Sequence, residues 1–328
     1  MKQARLFPIL QPNPVPLREK NQVQYLDLNY KSILNYCDTR RMPDTFTINP
    51  YRGCEFGCSY CYARYTHEFM ELDGSQFEKK IFLKRQGAKV LLRSLDPGKI
   101  AGRHIAIGTA TDPYQPAEAR FFLTRQLLEV FAQARNLSLS ITTKSSLVKR
   151  DIPLVREISR NNQLQVNISL ISLDEKFLAD LEPKASHPQA RLAALKEITE
   201  AGIRAGIFMM PILPGITDSA EDLESVVRAA KRNGAHYLGS NTLFLRESAR
   251  EIFYDFLRRK RPDLHRRYCR TYGTRSYMPR DYQRRVTTLV RALKEKYGFD
   301  RESPPVRKLE NSQPGMWDLW KPEQIGVD

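Results

Sequence analysis

The sequence predicts an α/β fold: a partial barrel of six βα units, preceded by an irregular N-terminal extension and followed by a basic helical C-terminal segment. Three observations carry this expectation. Short apolar, β-prone runs alternate with helical patterns between residues 45 and 245, and such alternation builds a parallel sheet with crossover helices. Six units are too few for the closed eight-stranded barrel, so the sheet is open or partial. Composition changes at both flanks, to proline-rich before residue 45 and to strongly basic after residue 245.

Residues 1–44 contain Pro8, Pro12, Pro14 and Pro16 and read as irregular. Lys2 and Arg5 are followed by those prolines rather than by an apolar stretch, so no signal peptide is expected. Thr45 to Asn49 is the first strand, stopped by Pro50 and a cysteine-rich loop. Helical patterns at 62–72 and 85–95 lead to a second strand, His104 to Thr109, and a helix from Phe121 to Arg135. Leu137 to Thr143 is the third strand, with a helix near 151–161. Leu164 to Ser172 is the fourth, with helices at 174–181 and 187–201. Ile203 to Met210 is the fifth, with a helix from Ser219 to Asn233, and Ala235 to Phe244 is the sixth. A basic helical stretch from about 246 to 298 and an irregular tail complete the chain. The expected divisions are 1–44, 45–245 and 246–328.

Parallel α/β folds gather their chemistry at the C-terminal ends of strands. Here the cysteine loop follows strand one, Thr111 and Asp112 follow strand two, and Lys144 and Ser145 follow strand three. Ser169 and Ser172 lie on or end strand four, and Asn241 lies late in strand six. A turn would account for any one of these residues. Their convergence on the cysteine loop marks one face of the sheet.

Lys and Arg number 53 against 37 Asp and Glu, a net charge of +16. The excess concentrates between Arg246 and Glu310, with 19 basic and 9 acidic residues. Such a segment favours a polyanion such as DNA or RNA; the plainer reading is a solvated basic surface. Tyr268, Tyr272, Tyr277 and Tyr282 stand among the arginines, a mixture suited to base stacking and phosphate contacts, or to capping a barrel. No apolar run reaches the roughly 18 residues of a membrane span, and the longest, Gly206 to Ile216, is cut by Pro211 and Pro214. A soluble cytoplasmic enzyme without membrane partners is expected. Five cysteines, an odd number, argue against a disulfide framework. Cys37 reads as an ordinary thiol in a connecting segment, and Cys269 as one on a basic helix.

The other three cysteines lie in NPYRGCEFGCSYCYAR, residues 49–64, spaced Cys-x3-Cys-x2-Cys. Three thiolates on one short loop can ligate three irons of a cubane cluster, leaving the fourth iron open to an exchangeable ligand. That arrangement points to catalysis rather than electron storage. Gly53 and Gly57 allow the loop to close around a bulky cluster. The competing reading is a zinc site completed by His67, although zinc loops arrange their ligands in two separated pairs. His67 is otherwise expected on a helix surface or beside the site.

With Tyr60 just before the third cysteine, the motif resembles that of the radical SAM superfamily. The strings KSILN, GTATDPYQPAE, TTKS, VNISLIS and MMPILPGITD narrow the resemblance to the spore photoproduct lyase-like branch, labelled "DNA repair photolyase", over residues 30–245. The resemblance implies that Cys54, Cys58 and Cys61 hold a 4Fe–4S cluster. S-adenosyl-L-methionine would bind its open iron and be cleaved to a 5′-deoxyadenosyl radical that abstracts a substrate hydrogen. It also implies that Tyr60 packs near the adenine and that Thr111 and Asp112 lie near the cofactor's amino group. Lys144 would pair with its carboxylate, and Ser169 would lie on its ribose or methionine side. These pairings are chemically apt, a cation for a carboxylate and acceptors for an ammonium and hydroxyls. An electron donor such as flavodoxin or ferredoxin is the implied partner. One departure stands out. Lyases of this branch carry a hydrogen-donating cysteine just ahead of the Ser/Thr-Asp pair, and here that position is Thr109. Tyr62 and Tyr65 are candidates to relay a radical or to pack. Three functions follow: a radical SAM enzyme acting on nucleic acid, one acting on a protein or small molecule, or a non-catalytic cluster- or zinc-binding interaction protein.

Overall fold

The structure is a computed structural model and describes residues 19–20, 23–39, 42–273 and 275–299. Its centre is a seven-stranded sheet curled into a half-barrel. Six strands are parallel: β4 (Met42–Ile48), β7 (His104–Ile107), β8 (Ser138–Thr143), β9 (Gln163–Ser169), β10 (Arg204–Ile212) and β11 (Tyr237–Thr242). They lie side by side in that order. The expected α/β partial barrel of six units is present, with strand boundaries moved by a few residues. A seventh strand, β3 (Leu34–Thr39), runs antiparallel along the outer edge of β4.

Side chains alternate along each strand. Ile105, Ile107, Leu139, Ile141, Val166 and Ile168 point outward into the main hydrophobic core. The connecting helices cover that face: α5 (Leu123–Ala132), α6 (Ile152–Asn161), α8 (Pro188–Glu200) and α9 (Ala220–Arg232). They contribute Leu127, Phe131, Val155, Ile158, Leu195 and Val226. The opposite, inner face is polar. His104 hydrogen-bonds Ser138 Oγ at 2.9 Å and Ser140 Oγ at 2.7 Å, and the Tyr237 hydroxyl donates to Asn167 Oδ1 at 2.7 Å.

Several expectations are corrected. The stretch expected to be an irregular extension contains β3 and also β2 (Val23–Asp27). β2 belongs to a second sheet, in the order β1 (Glu19–Lys20), β2, β6 (Lys80–Leu83), β5 (Tyr51–Arg52). Its strands are two to five residues long, too short for periodicity to declare them. Val23, Tyr25, Tyr51, Ile81 and Leu83 form a small core of their own. Cys37, expected in a connection, sits in β3. The expected helix at 62–72 is a 3₁₀ turn, Tyr62–Arg64, running into the one-turn helix α1 (Tyr65–Glu68). The 85–95 pattern becomes α2 (Gly87–Ser94), followed by α3 (Pro97–Ile100). The helix expected from Phe121 is divided by Phe122, whose φ of +54° separates α4 (Glu118–Phe121) from α5.

The basic segment forms α10 (Glu247–Lys260), α11 (Pro262–Tyr272) and α12 (Arg280–Lys296). Their inner faces bury Phe253, Leu257, Tyr268, Tyr272 and Val286 in the same core as the half-barrel. The irregular tail beyond Phe299 and residues 1–18 lie outside the described residues.

Candidate active site

The cysteine loop leaves the C-terminal end of β4 and is fastened on all sides. Gly53 has φ +87°, and a Cβ there would stand 2.5 Å from the Lys80 carbonyl oxygen, so glycine alone fits. Cys54 N–H donates to Phe77 O at 3.0 Å and Ser59 N–H to Leu181 O at 3.0 Å. Gln115 grips the loop with both ends of its amide: Oε1 accepts from Glu55 N–H at 2.9 Å and Nε2 donates to Gly53 O at 3.0 Å. Buried Arg64 donates to Cys58 O at 3.2 Å and pairs with Glu78. Asn49 ties the loop's root to the turn after β7, accepting from Ala110 N–H at 2.8 Å and donating to Thr109 Oγ1 at 3.2 Å.

Cys54 and Cys58 are buried, Cys61 is half-buried, and all three are free thiols. Burial pushes the thiols of Cys54 and Cys58 up, and the three cysteines act electrostatically on one another. His67 does not join them. It is buried, its Nε2 is tied to Lys80 O at 3.1 Å, its ring lies against Phe77 and Phe82, and burial pushes its pKa down to about 4. The expected surface position for His67 is therefore wrong: Nε2 is engaged by Lys80 O, and Nδ1 is buried without a hydrogen-bond partner. Among the described residues no three His, Cys, Asp or Glu side chains are gathered as on a single metal ion. A soft all-thiol donor set fits an iron–sulfur cluster, whose ligands are spread over several irons.

Beside Cys58 stands a buried polar network. Lys144 Nζ lies over the Tyr60 ring, 5.8 Å from its centroid. The Tyr60 hydroxyl donates to Glu182, which pairs with Arg191. Arg191 in turn donates to Ser169 O at 2.9 Å and Ser186 O at 2.7 Å. Burial opposes the Lys144 charge, but Cys58, Glu182 and Asp112 outweigh it and raise its pKa. Burial likewise works against the Glu182 carboxylate, and Arg191 and Lys144 hold it below the usual range. Asp112 accepts from Thr143 Oγ1 at 2.6 Å, Tyr114 N–H at 2.9 Å and Lys144 N–H at 2.7 Å. Thr111 donates its N–H to Asn49 at 3.2 Å. The structure thus sets Tyr60 and Lys144 beside Cys58 and Asp112 beside Cys54, puts Ser169 behind Arg191, and places Thr111 at the loop's root.

Sequence reasoning passed over Asn49, Gln115, Glu182 and Arg191. Asn49 and Gln115 stand inside strings it had singled out. Glu182 precedes Pro183 at a helix end and gave no signal.

An aromatic rim borders the site. Tyr62, 41% exposed, donates its hydroxyl to Thr109 O, and its ring lies 6.4 Å from those of Tyr65 and Phe244. Phe244 stacks on Tyr277 at 4.6 Å, and Arg246 lies 4.5 Å over Tyr65. The other three tyrosines of the basic segment do not reach this surface. Tyr268, Tyr272 and Tyr282 are buried, donating to Pro214 O at 2.7 Å, Leu243 O at 3.3 Å and Asp218 Oδ2 at 2.8 Å.

A half-barrel with a three-cysteine loop at the C-terminal end of its first parallel strand is the framework of one enzyme superfamily. Residues 48–235 match the Radical SAM superfamily, and the chain belongs to it. Membership implies an iron–sulfur cluster and S-adenosyl-L-methionine. In particular, the chain is 36% identical over 280 residues to uncharacterized protein Rv2578c of Mycobacterium tuberculosis, covering 84% of this chain and 82% of that one. It is 30% identical over 177 residues to uncharacterized protein MJ0683 of Methanocaldococcus jannaschii, covering 53% and 62%. In fold it is similar to spore photoproduct lyase complexed with dinucleoside spore photoproduct, with TM-score 0.61, 15% identity and coverage of 83% and 79%. A variant of that lyase with bound AdoMet and dinucleoside spore photoproduct gives TM-score 0.58 at 18% identity, with coverage of 80% and 76%.

Proposed function

We propose that this protein is a radical SAM enzyme of the spore photoproduct lyase-like branch that acts on a nucleic acid. Cys54, Cys58 and Cys61 ligate three irons of a 4Fe–4S cluster and leave the fourth for S-adenosyl-L-methionine. The observation that carries this reading is the gathering of half-buried Lys144 with buried Tyr60 and Glu182 beside Cys58. When bound, the cofactors supply a 5′-deoxyadenosyl radical that takes a hydrogen atom from the substrate. The chain's own residues bind, orient and shield. Lys144 offers a half-buried cation to the methionine carboxylate, and Tyr60 offers its ring as a wall for the adenine. Asp112 holds the Lys144 backbone and keeps acceptor capacity for the ammonium. Ser169, at the end of β9, lies toward the ribose or methionine side, and Thr111 borders the amino group. The fastened loop keeps the Cys54 and Cys58 thiols from water. A flavodoxin or ferredoxin supplies electrons.

Thr109 separates this enzyme from its named structural neighbour. A threonine O–H is a poor hydrogen-atom donor, so the reaction differs from direct reversal of spore photoproduct or draws its hydrogen elsewhere. The test is anaerobic: reconstituted, reduced protein should convert S-adenosyl-L-methionine to methionine and 5′-deoxyadenosine. Lys144→Ala should keep its iron but bind the cofactor roughly tenfold more weakly or worse, having lost a charge-assisted contact. An oligonucleotide carrying spore photoproduct should yield little thymine. Undiminished cofactor affinity in the variant would displace Lys144 from this role. Deuterium found in 5′-deoxyadenosine from a labelled peptide, and not from labelled nucleic acid, would reassign the substrate.

A further inference from the structure

Outside the cysteine site, the small sheet holds two cations side by side without a counter-ion. Arg52 stands opposite Phe82 in the β5–β6 ladder, and Lys84 stands just past the end of β6, where the Arg52 charge acts on it. Lys84 is only 7% exposed, and Nζ lies 5.7 Å from the centroid of the Tyr30 ring. Arg52 is half-buried, and its Nη1 is shut off from solvent with no hydrogen-bond acceptor. Other buried guanidinium groups are paired: Arg64 with Glu78, and Arg191 with Glu182. Among the described residues no carboxylate pairs with Arg52 or Lys84. Burial, together with the like charge of Arg52, pushes the Lys84 ammonium down to about 7.

A desolvated cation pair is unfavourable unless an anion completes it. We propose that Arg52 and Lys84 form a binding subsite for an oxyanion of the phosphate class. A guanidinium fork and a compact ammonium together match the oxygens of one phosphate group. Arg52, Tyr30 and Tyr65 are each half-buried, so the pair lies just beneath the surface. Tyr65 lies beside Arg52 and also within the aromatic rim, next to Tyr62 and under Arg246. Tyr65 thus joins the pair to the rim, the side on which an ester substituent of a bound phosphate would meet aromatic rings. The subsite does not depend on which molecule is the enzyme's substrate, because inorganic phosphate, a nucleotide and a nucleic-acid backbone share this chemistry.

Titration of the anaerobic holoprotein with inorganic phosphate, thymidylyl-thymidine and thymidine, at fixed ionic strength in chloride, tests it. Phosphate or the dinucleotide should bind saturably and raise Tm, and thymidine should not. Tighter binding of the dinucleotide assigns the subsite to a phosphodiester, and tighter binding of inorganic phosphate assigns it to the free ion; both support the proposal. Lys84→Met and, separately, Arg52→Gln should weaken that binding roughly tenfold or more, and Lys84→Arg should restore part of it. In phosphate-free buffer Lys84→Met should melt no lower than the unsubstituted protein, because it removes an unpaired buried charge. Failure of both phosphate compounds to bind, or equal binding by Arg52→Gln, overturns the subsite.

Discussion

Cys54, Cys58 and Cys61 differ from the remaining two cysteines in their surroundings. Cys37 lies on an edge strand, and Cys269 stands 3.4 Å from His265 on an outer helix. Substituting any of the three loop cysteines by Ala should abolish stable cluster incorporation, whereas Cys37→Ala and Cys269→Ala should keep about four irons per chain after anaerobic reconstitution. Iron analysis and the visible absorption of the cluster check it, and full iron in Cys58→Ala would reject the ligand set. The three thiols were legible because their spacing is short and local. Glu182 was not, because its meaning comes from Tyr60, 122 residues away in the chain. No local pattern announces such a pairing. The same holds for Gln115, which reads as one more polar residue in a turn until it is seen gripping the loop.

At the scale of elements, the six parallel strands were legible because each carries a run of β-branched or apolar residues. The second sheet was not, its strands being too short for alternation to show. The polar inner face of the half-barrel carries a measurable consequence. Burial holds His104 down to about 4, against 6.5 for a free imidazole. Between those values the unfolded chain binds more protons than the folded one. Stability is therefore complete above pH 6.5 and falls as the pH drops toward 4. Between pH 6.5 and 5.5 the loss from this one ring should be at most about 1 kcal/mol. Denaturant unfolding of the anaerobic holoprotein at these two pH values measures it. His104→Gln, which can still hydrogen-bond Ser138 and Ser140, should flatten the dependence, though not wholly, because His67 is shifted in the same direction. An unchanged slope in the variant would show that His104 titrates normally.

At the scale of the whole molecule, charge and packing divide the basic segment into a buried side and a solvent-facing side. Of the two readings of its tyrosines, base stacking or capping the barrel, Tyr268, Tyr272 and Tyr282 fit the second, with their rings buried in the core shared with the half-barrel. Composition showed the aromatic and basic mixture, and only helical phase decided which side faced water. Arg266, Arg267 and Arg270 remain outward on α11, without ion pairs among the described residues. Replacing Arg266 and Arg267 by Glu should weaken DNA or RNA binding while leaving the iron content unchanged. Affinity of the unsubstituted protein should fall with salt at a log–log slope of about −0.7 to −0.9 per phosphate neutralised. Fluorescence anisotropy over a salt series measures both. A dissociation constant weaker than about 10⁻⁴ M at physiological salt would remove nucleic acid as the partner. The sheet itself sets the shape of what can be served. It ends at β3 on one side and at β11 on the other, and among the described residues no further strands join them into a ring. A closed ring admits only what fits through its mouth, so a long polymer would have to be fed in by one end. Under the proposed nucleic-acid reading, a sheet that is not a ring allows a polymer to lie across it, with an internal unit presented to the cysteine loop while both ends stay outside.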